Sequence, residues 1–157
     1  LAMQRAVERF RGLEHALESV AEIDGVRFVN DSKATNIASA QRSLESFSGG
    51  VVAILGGRFK GGRFDDLRPL VPGRVSAVVA IGEARPLLHA ALGDLVPVHD
   101  ATTMADAVRQ AFASAAPGGV VLLAPACSSF DMFRDYAERG RQFKEAVARL
   151  SGERSGR

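Results

Sequence analysis

The chain has 157 residues, 46% of them hydrophobic and 24% charged, a composition typical of a globular domain long enough to bury a core. A net charge of +2 with no basic block argues against nucleic-acid binding, and no apolar run approaches the roughly 20 residues that cross a bilayer. A lone cysteine, Cys127, excludes an internal disulfide and favours a reducing cytoplasm.

The first 50 residues are predicted to contain two helices and a hairpin. Apolar side chains at helical spacing in 3–10 predict a short opening helix. Two apolar-rich runs follow, joined by Asp24-Gly25, a dipeptide that readily adopts the positive φ angles of a tight hairpin turn. Residues 37–47 then predict a helix that Gly49-Gly50 should end. The chain does not begin with Met, and we expect it to be part of a longer protein.

From residue 51 onward, apolar strands alternate with amphipathic helices. The predicted strands are 51–55, 75–82, 95–99 and 120–124, and the predicted helices are 65–70, 84–92, 103–115 and 133–150. Such an alternation predicts a parallel sheet with helices on both faces. We therefore expect one doubly wound α/β domain over residues 1–150, with one antiparallel hairpin element. The polar residues 151–157 are expected to form a frayed tail.

Three loops that follow strands are rich in polar groups or glycine. They are NDSKATN (30–36), GGRFKGG (56–62) and APACSSFD (124–131), called here the first, second and third loops. Ligands of doubly wound sheets bind beyond the carboxyl ends of the strands, so these loops could converge on one site. Structural roles are also open: Thr35 or Asn36 should cap a helix, and one of Ser128, Ser129 and Asp131 should cap the last one. The segments 82–85 and 99–103 look like ordinary connections.

Only three of the 20 basic residues are lysines, and two of them, Lys33 and Lys60, lie in these loops. An ammonium group there can contact a phosphate or carboxylate, although placement alone also allows two exposed lysines with no role. The chain has neither a Walker A loop nor a G-x-G-x-x-G fingerprint, nor the ligand spacing of a metal site. We therefore expect a partner domain to hold any nucleoside triphosphate. Cys127 is interpreted as a small buried residue rather than a nucleophile.

Taken in order, NDSKATN, LGG-x-x-KGG, and PACSSFDMF followed by Tyr136 and ERG-x-x-F resemble the C-terminal domain of the Mur ligases. The segment F-x-GL-x-H at 10–15 also fits. The resemblance implies one domain of a cytoplasmic bacterial ligase whose UDP-binding N-terminal and central ATPase domains are absent from this chain. It further implies ATP-driven addition of D-glutamate to UDP-N-acetylmuramoyl-L-alanine through an acyl phosphate, in peptidoglycan precursor synthesis. ATP and Mg²⁺ would be held mainly by the central domain.

The resemblance also implies residue roles. Lys33 would be catalytic, and the nucleotide would contact Asp31, Asn30 and His15. The D-glutamate site would consist of Thr35, Lys60, Ser129, Phe130 and Tyr136. Two departures from the family pattern stand out: Ala16 replaces a usual nucleotide-contacting arginine, and Phe59 and Arg63 replace residues that are often acidic.

Other functions are also open. A related Mur ligase or a folylpolyglutamate-synthase-type domain would share the fold but add another amino acid. KATN after Asp31-Ser32 favours D-glutamate over later amino acids. A non-enzymatic ligand-binding module of receiver or flavodoxin type is a different class, but a receiver needs clustered acids where this chain has lysines and hydroxyls. No partner among nucleic acids or membranes is expected.

Overall fold

A computed structural model describes residues 13–155 of the chain. The predicted opening helix at 3–10 lies outside the described residues. The strands are β1 (Glu18–Ile23), β2 (Val26–Asn30), β3 (Val51–Gly56), β4 (Val75–Ile81), β5 (Val98–Ala101) and β6 (Val120–Leu123). The α-helices are α1 (Ile37–Glu45), α2 (Arg85–Leu92), α3 (Met104–Ser114) and α4 (Tyr136–Ser155), and 3₁₀ turns occupy Phe64–Leu70 and Gly82–Ala84.

The six strands form one sheet in the order β1-β2-β6-β3-β4-β5. Strands β1 and β2 are antiparallel, and all other neighbours are parallel, which confirms the predicted α/β class with its hairpin element. The turn of the hairpin has φ angles of 49° at Asp24 and 81° at Gly25, as the dipeptide predicted. The last strand in sequence, β6, lies between β2 and β3. Its pairing with β2 therefore joins the N-terminal hairpin to the centre of the sheet.

Helices cover both faces of the sheet, and each face has its own apolar core. Residues along β3 alternate between the two cores because successive side chains of a strand point to opposite faces. On one side β3 packs with α1, the first 3₁₀ turn and α2, through residues that include Ile37, Leu44, Leu67 and Leu88. On the other side it packs with α3 and α4, through residues that include Met104, Val108, Phe143 and Val147.

Some predicted boundaries differ from those observed. Helix α1 ends at Glu45, several residues before the glycine pair, and leaves Phe47 outside the helix. Strand β5 runs from Val98 to Ala101, because these residues pair with β4. It therefore starts later than the predicted strand at 95–99, and 99–101 is strand rather than connection. The prediction of a frayed tail from residue 151 is wrong for residues 151–155.

The tail is instead a continuation of the last helix. Helix α4 runs to Ser155, and Arg154 forms an ion pair of 2.7 Å with Asp24 of the hairpin turn. That contact fastens the end of α4 to the hairpin. Within residues 13–155, no helix is both long and apolar enough to cross a membrane.

Candidate functional site

The three polar and glycine-rich loops meet at one edge of the sheet. The first follows β2, the second follows β3 and the third follows β6, which lies between those two strands. The amide of Ala126 donates to the carbonyl of Ala34 at 2.9 Å, joining the third loop to the first. Arg58 and Ser128 exchange backbone hydrogen bonds of 3.0 and 3.1 Å, joining the third loop to the second. The predicted convergence is therefore observed, with the third loop in the middle.

Asp31 and Lys33 stand at the start of the first loop. Asp31 is 9% exposed, and its carboxylate accepts a hydrogen bond of 3.1 Å from the amide of Leu17. Lys33 is exposed, and its backbone amide donates to the carbonyl of His15 at 3.0 Å. Thr35 is half-buried, and Asn36 ends the loop by accepting from the Ser39 amide as the cap of α1. The loop thus offers an exposed lysine and, two residues before it, a carboxylate held by a backbone amide.

Asn30 and His15 lie beneath the first loop. The Asn30 side chain donates to His15 Nδ1 at 2.9 Å and to Glu18 Oε1 at 3.0 Å. Its oxygen accepts from the amide of Ser32, so both ends of the carboxamide are occupied. His15 is 3% exposed, and burial lowers the pKa of its imidazole, which favours a neutral ring. Because the Asn30 amide donates to Nδ1, the proton of the neutral ring is on Nε2. Asn30 and His15 support the first loop from the protein interior, whereas Asp31 and Lys33 line a surface cleft beside the loop.

The second and third loops bring Lys60 and Phe130 together. The Lys60 ammonium lies 5.1 Å from the centre of the Phe130 ring, a cation–π distance, and Phe130 is 56% exposed. Ser129, beside Phe130, is 2% exposed. Phe59 stacks on Phe64 at 4.2 Å, which anchors the second loop next to Lys60. An exposed ammonium with an apolar ring beside it can bind an amino acid through its carboxylate and its methylene groups.

Tyr136 is the first residue of α4 and lies on the side of the first loop. Its ring contacts His15 edge-on at 6.0 Å, and its carbonyl accepts from the Ser32 hydroxyl at 2.6 Å. The helix cap is Asp135, which accepts from the Glu138 amide at 2.8 Å. The expectation that a polar residue of the third loop caps this helix is therefore wrong.

The polar residues of the third loop have other partners. The Ser128 hydroxyl donates to the carbonyl of Arg58, and the Asp131 carboxylate accepts from the Glu83 amide at 2.9 Å. Gly82 is needed at this junction, because a Cβ there would lie 2.3 Å from the Asp131 carboxylate. Segment 82–85 is thus tied to the third loop rather than being a simple connection. The sequence carried no pattern that links these distant residues.

The cleft beside the first loop has a volume of about 520 Å³. Lys33 and Asp31 line it, as do Ala16 and, from α1, Arg42. Arg42 donates only to the hydroxyl of Ser39 among the described residues, so its charge is available to a ligand. Sequence reasoning missed Arg42, because nothing in the pattern of α1 distinguishes a cleft-facing arginine from a solvated one.

Two buried residues complete the site from below. Burial raises the pKa of the Cys127 thiol to about 12, which suits the predicted inert role. Arg139 of α4 is fully buried and donates to Ser32 and to the carbonyl of Cys127. Sequence reasoning did not select Arg139 as a site residue, although the ERG motif contains it.

Polar loops at the carboxyl ends of parallel strands are typical of ligand-binding α/β domains, and this chain is one by its fold. Sequence comparison identifies the family. Residues 17–127 match the family described as Mur ligase, glutamate ligase domain, and the chain belongs to that family. It is 53% identical over 142 residues to the UDP-N-acetylmuramoylalanine–D-glutamate ligase of Geobacter sp. (strain M21) and 51% identical over 146 residues to that of Acidobacterium capsulatum.

These comparisons cover most of this chain but only part of each relative. The two alignments span 90% and 93% of the chain but 31% and 32% of the relatives, so the chain spans about a third of their length. The solved structure of a murein peptide ligase from Psychrobacter arcticus superposes with a TM-score of 0.63 over 96% of this chain and 32% of that one. At 12% sequence identity, that likeness establishes the shared fold.

Proposed function

We propose that the chain is the amino-acid-binding domain of a cytoplasmic ligase that adds D-glutamate to UDP-N-acetylmuramoyl-L-alanine in peptidoglycan precursor synthesis. The observation that carries the proposal is the meeting of the three loops, which presents Lys33, Lys60 and Phe130 at one edge. The relatives that are about half identical are named as ligases for D-glutamate, which supports this amino acid over other substrates.

D-Glutamate is an amino acid with two carboxylates, and the second and third loops suit it. In this proposal Lys60 and Ser129 bind carboxylate oxygens, since a charged donor gives the stronger hydrogen bond and a hydroxyl adds direction. Thr35 contributes a second hydroxyl from the first loop. Phe130 and Tyr136 contact the methylene groups, because both rings are partly exposed at the rim.

The other substrates meet at the first loop. We assign Lys33 to the reacting region, where its ammonium stabilises the negative charge of the acyl phosphate and of the tetrahedral intermediate. Asp31 and the adjoining cleft face the nucleotide. Asn30 and His15, given nucleotide contacts by the family resemblance, are proposed instead to hold the first loop in place, since the Asn30 carboxamide and His15 Nδ1 are hydrogen-bonded within the protein.

ATP supplies the phosphoryl group that activates the substrate carboxylate, and the amine of D-glutamate then displaces phosphate. Within the proposal, the N-terminal and central domains hold the nucleotide sugar, ATP and Mg²⁺. Among residues 13–155, no three His, Cys, Asp or Glu side chains come together as a metal site. In this proposal the residues of the present domain bind and orient the amino acid and add positive charge.

Lys60→Ala in the full-length protein tests the proposal. A hydrogen bond to a charged group contributes about 1.5–3 kcal/mol, so the KM for D-glutamate should rise roughly 10- to 150-fold with little change for ATP. The assay is steady-state phosphate release, with D-glutamate varied at saturating ATP and nucleotide sugar. Ser129→Ala should act in the same direction but less, being a neutral donor.

Lys144→Ala is the matched control for this test. Lys144 lies on α4 and pairs with Glu14 and Glu18, away from the second and third loops, so the KM should stay within about twofold. An unchanged KM for D-glutamate in Lys60→Ala would rule out the proposed carboxylate site. A wild-type enzyme that uses a different amino acid in preference to D-glutamate would rule out the proposed substrate.

A further inference from the structure

A charged side chain that the proposed function does not use is buried between the first and third loops. Arg139 has a relative exposure of 0% and the largest fully buried side chain among residues 13–155. Its Nε donates to the Ser32 hydroxyl at 2.9 Å, and its two terminal nitrogens donate to the carbonyls of Cys127 at 2.9 Å and Ser32 at 2.7 Å. All three nitrogens are therefore engaged.

None of these partners is an anion. Among the described residues, Arg139 forms no ion pair with a carboxylate within 4.0 Å; Asp131 acts on it only at longer range. Burial lowers the pKa of the guanidinium to about 10, so it stays charged at neutral pH. Burying a charge with no carboxylate in contact is costly, which makes a purely structural role a poor explanation.

The hydrogen bonds of Arg139 join two of the three loops from below. Ser32 immediately precedes Lys33 in the first loop, and Cys127 lies two residues before Ser129 in the third. The Ser32 hydroxyl also donates to the carbonyl of Tyr136, which extends the connection to the start of α4. One side chain thus sets the spacing between the group assigned to the reacting region and the groups assigned to the amino acid.

We propose that Arg139 is a positioning residue for the amino-acid site: it locks the first loop to the third, and its charge is balanced by the carboxylates of the bound amino acid. The proposal deepens the proposed function, on which it rests for the identity of the amino acid. The locking of the loops does not depend on that identity. Arg139 touches no substrate in this scheme and acts through the backbone of both loops.

The test compares three variants of the full-length protein by kinetics and by hydrogen exchange. Arg139→Met removes the charge and all three hydrogen bonds, and should raise the KM for D-glutamate at least about 10-fold while the KM for the nucleotide sugar is unchanged. Arg139→Lys keeps the charge but cannot reach three acceptors from one nitrogen, and should give a smaller rise. Arg149→Met, an exposed arginine on the same helix, is the control and should leave both values unchanged.

Hydrogen exchange reports the locking without any assay of activity. The amide of Ala126 bonds to the carbonyl of Ala34 across the two loops, and should exchange at least about tenfold faster in Arg139→Met. Amides of the central strand β3 should keep their protection. Loss of global stability alone would speed exchange everywhere and leave the KM of the folded fraction unchanged.

Each of these measurements has an outcome that would contradict the proposed role of Arg139. An unchanged KM for D-glutamate in Arg139→Met would overturn the positioning role, and unchanged exchange at Ala126 would overturn the locking. A KM in Arg139→Lys as high as in Arg139→Met would overturn the role of the charge. If Arg139→Met does not fold, Ser32→Ala decides by the same two measurements; it removes the hydrogen bonds of the Ser32 hydroxyl with Arg139 Nε and with the Tyr136 carbonyl. If the wild type does not release phosphate with D-glutamate, the proposed function fails, and exchange still tests the locking.

Discussion

Gly140, next to Arg139 in α4, allows the helix to pass close to the support of the first loop. A Cβ at this position would lie 2.0 Å from His15 Nδ1 and 3.0 Å from the Asn30 carboxamide nitrogen. Those two atoms are hydrogen-bonded to each other at 2.9 Å, and both side chains are buried. Gly140→Ala must therefore move His15 or the helix itself.

Two destabilising contributions and one stabilising contribution set the change in the free energy of unfolding for Gly140→Ala. Overpacking a buried site costs about 1–3 kcal/mol, and breaking the bond between His15 and Asn30 costs about 1 kcal/mol more. Replacing glycine by alanine inside a helix stabilises it by about 1 kcal/mol. The net expectation for Gly140→Ala is a loss of about 2 kcal/mol, or a Tm lower by roughly 4–8 °C for a domain of this size.

Gly152 on the same helix is the matched control. A Cβ there would have no atom within 4 Å, so Gly152→Ala should stabilise the domain by about 0.5 kcal/mol because it lies near the helix end. Thermal and urea denaturation of the 157-residue chain measure both variants. A Gly140→Ala domain as stable as the wild type would show that His15 does not pack against α4 as described.

Two further predictions concern Cys127 and Ala16. Because burial raises the Cys127 pKa to about 12, the folded thiol should not react with a disulfide reagent at pH 8 and should react fully in denaturant; rapid labelling of the folded protein would contradict its burial. The unfolded thiol ionises at lower pH than the folded one, so stability should fall as pH rises above about 9, and less so in Cys127→Ala. Ala16→Arg adds a cation to the cleft lined by Lys33 and Arg42, and should lower the KM for ATP in the full-length protein a few-fold; a marked rise would show that the cleft does not take the nucleotide.

The fold class and the positions of the polar loops along the chain were readable from the amino-acid sequence. Apolar strands alternating with helices predict a covered parallel sheet, because only such a sheet buries both faces of each strand. Asp24-Gly25 predicted the hairpin turn, since its φ angles are a local property. The start of the helix predicted at 103–115 was readable for the same reason, since Thr103 caps α3 with its own side chain. Local geometry and periodicity depend on neighbouring residues alone.

Tertiary structure decided what depends on contacts between distant segments. The insertion of β6 between β2 and β3 places the third loop in the middle, and no local pattern sets strand order. Pairing with β4 extended β5 through 99–101, and contact with Asp24 accompanies the continuation of α4 into residues that look like a polar tail. Asn30 and Arg139 are polar residues whose burial is tolerated only because hydrogen-bond partners far along the chain meet them. Whether a polar side chain faces a ligand or supports the loop that does is a property of those partners, and the sequence alone does not contain their positions.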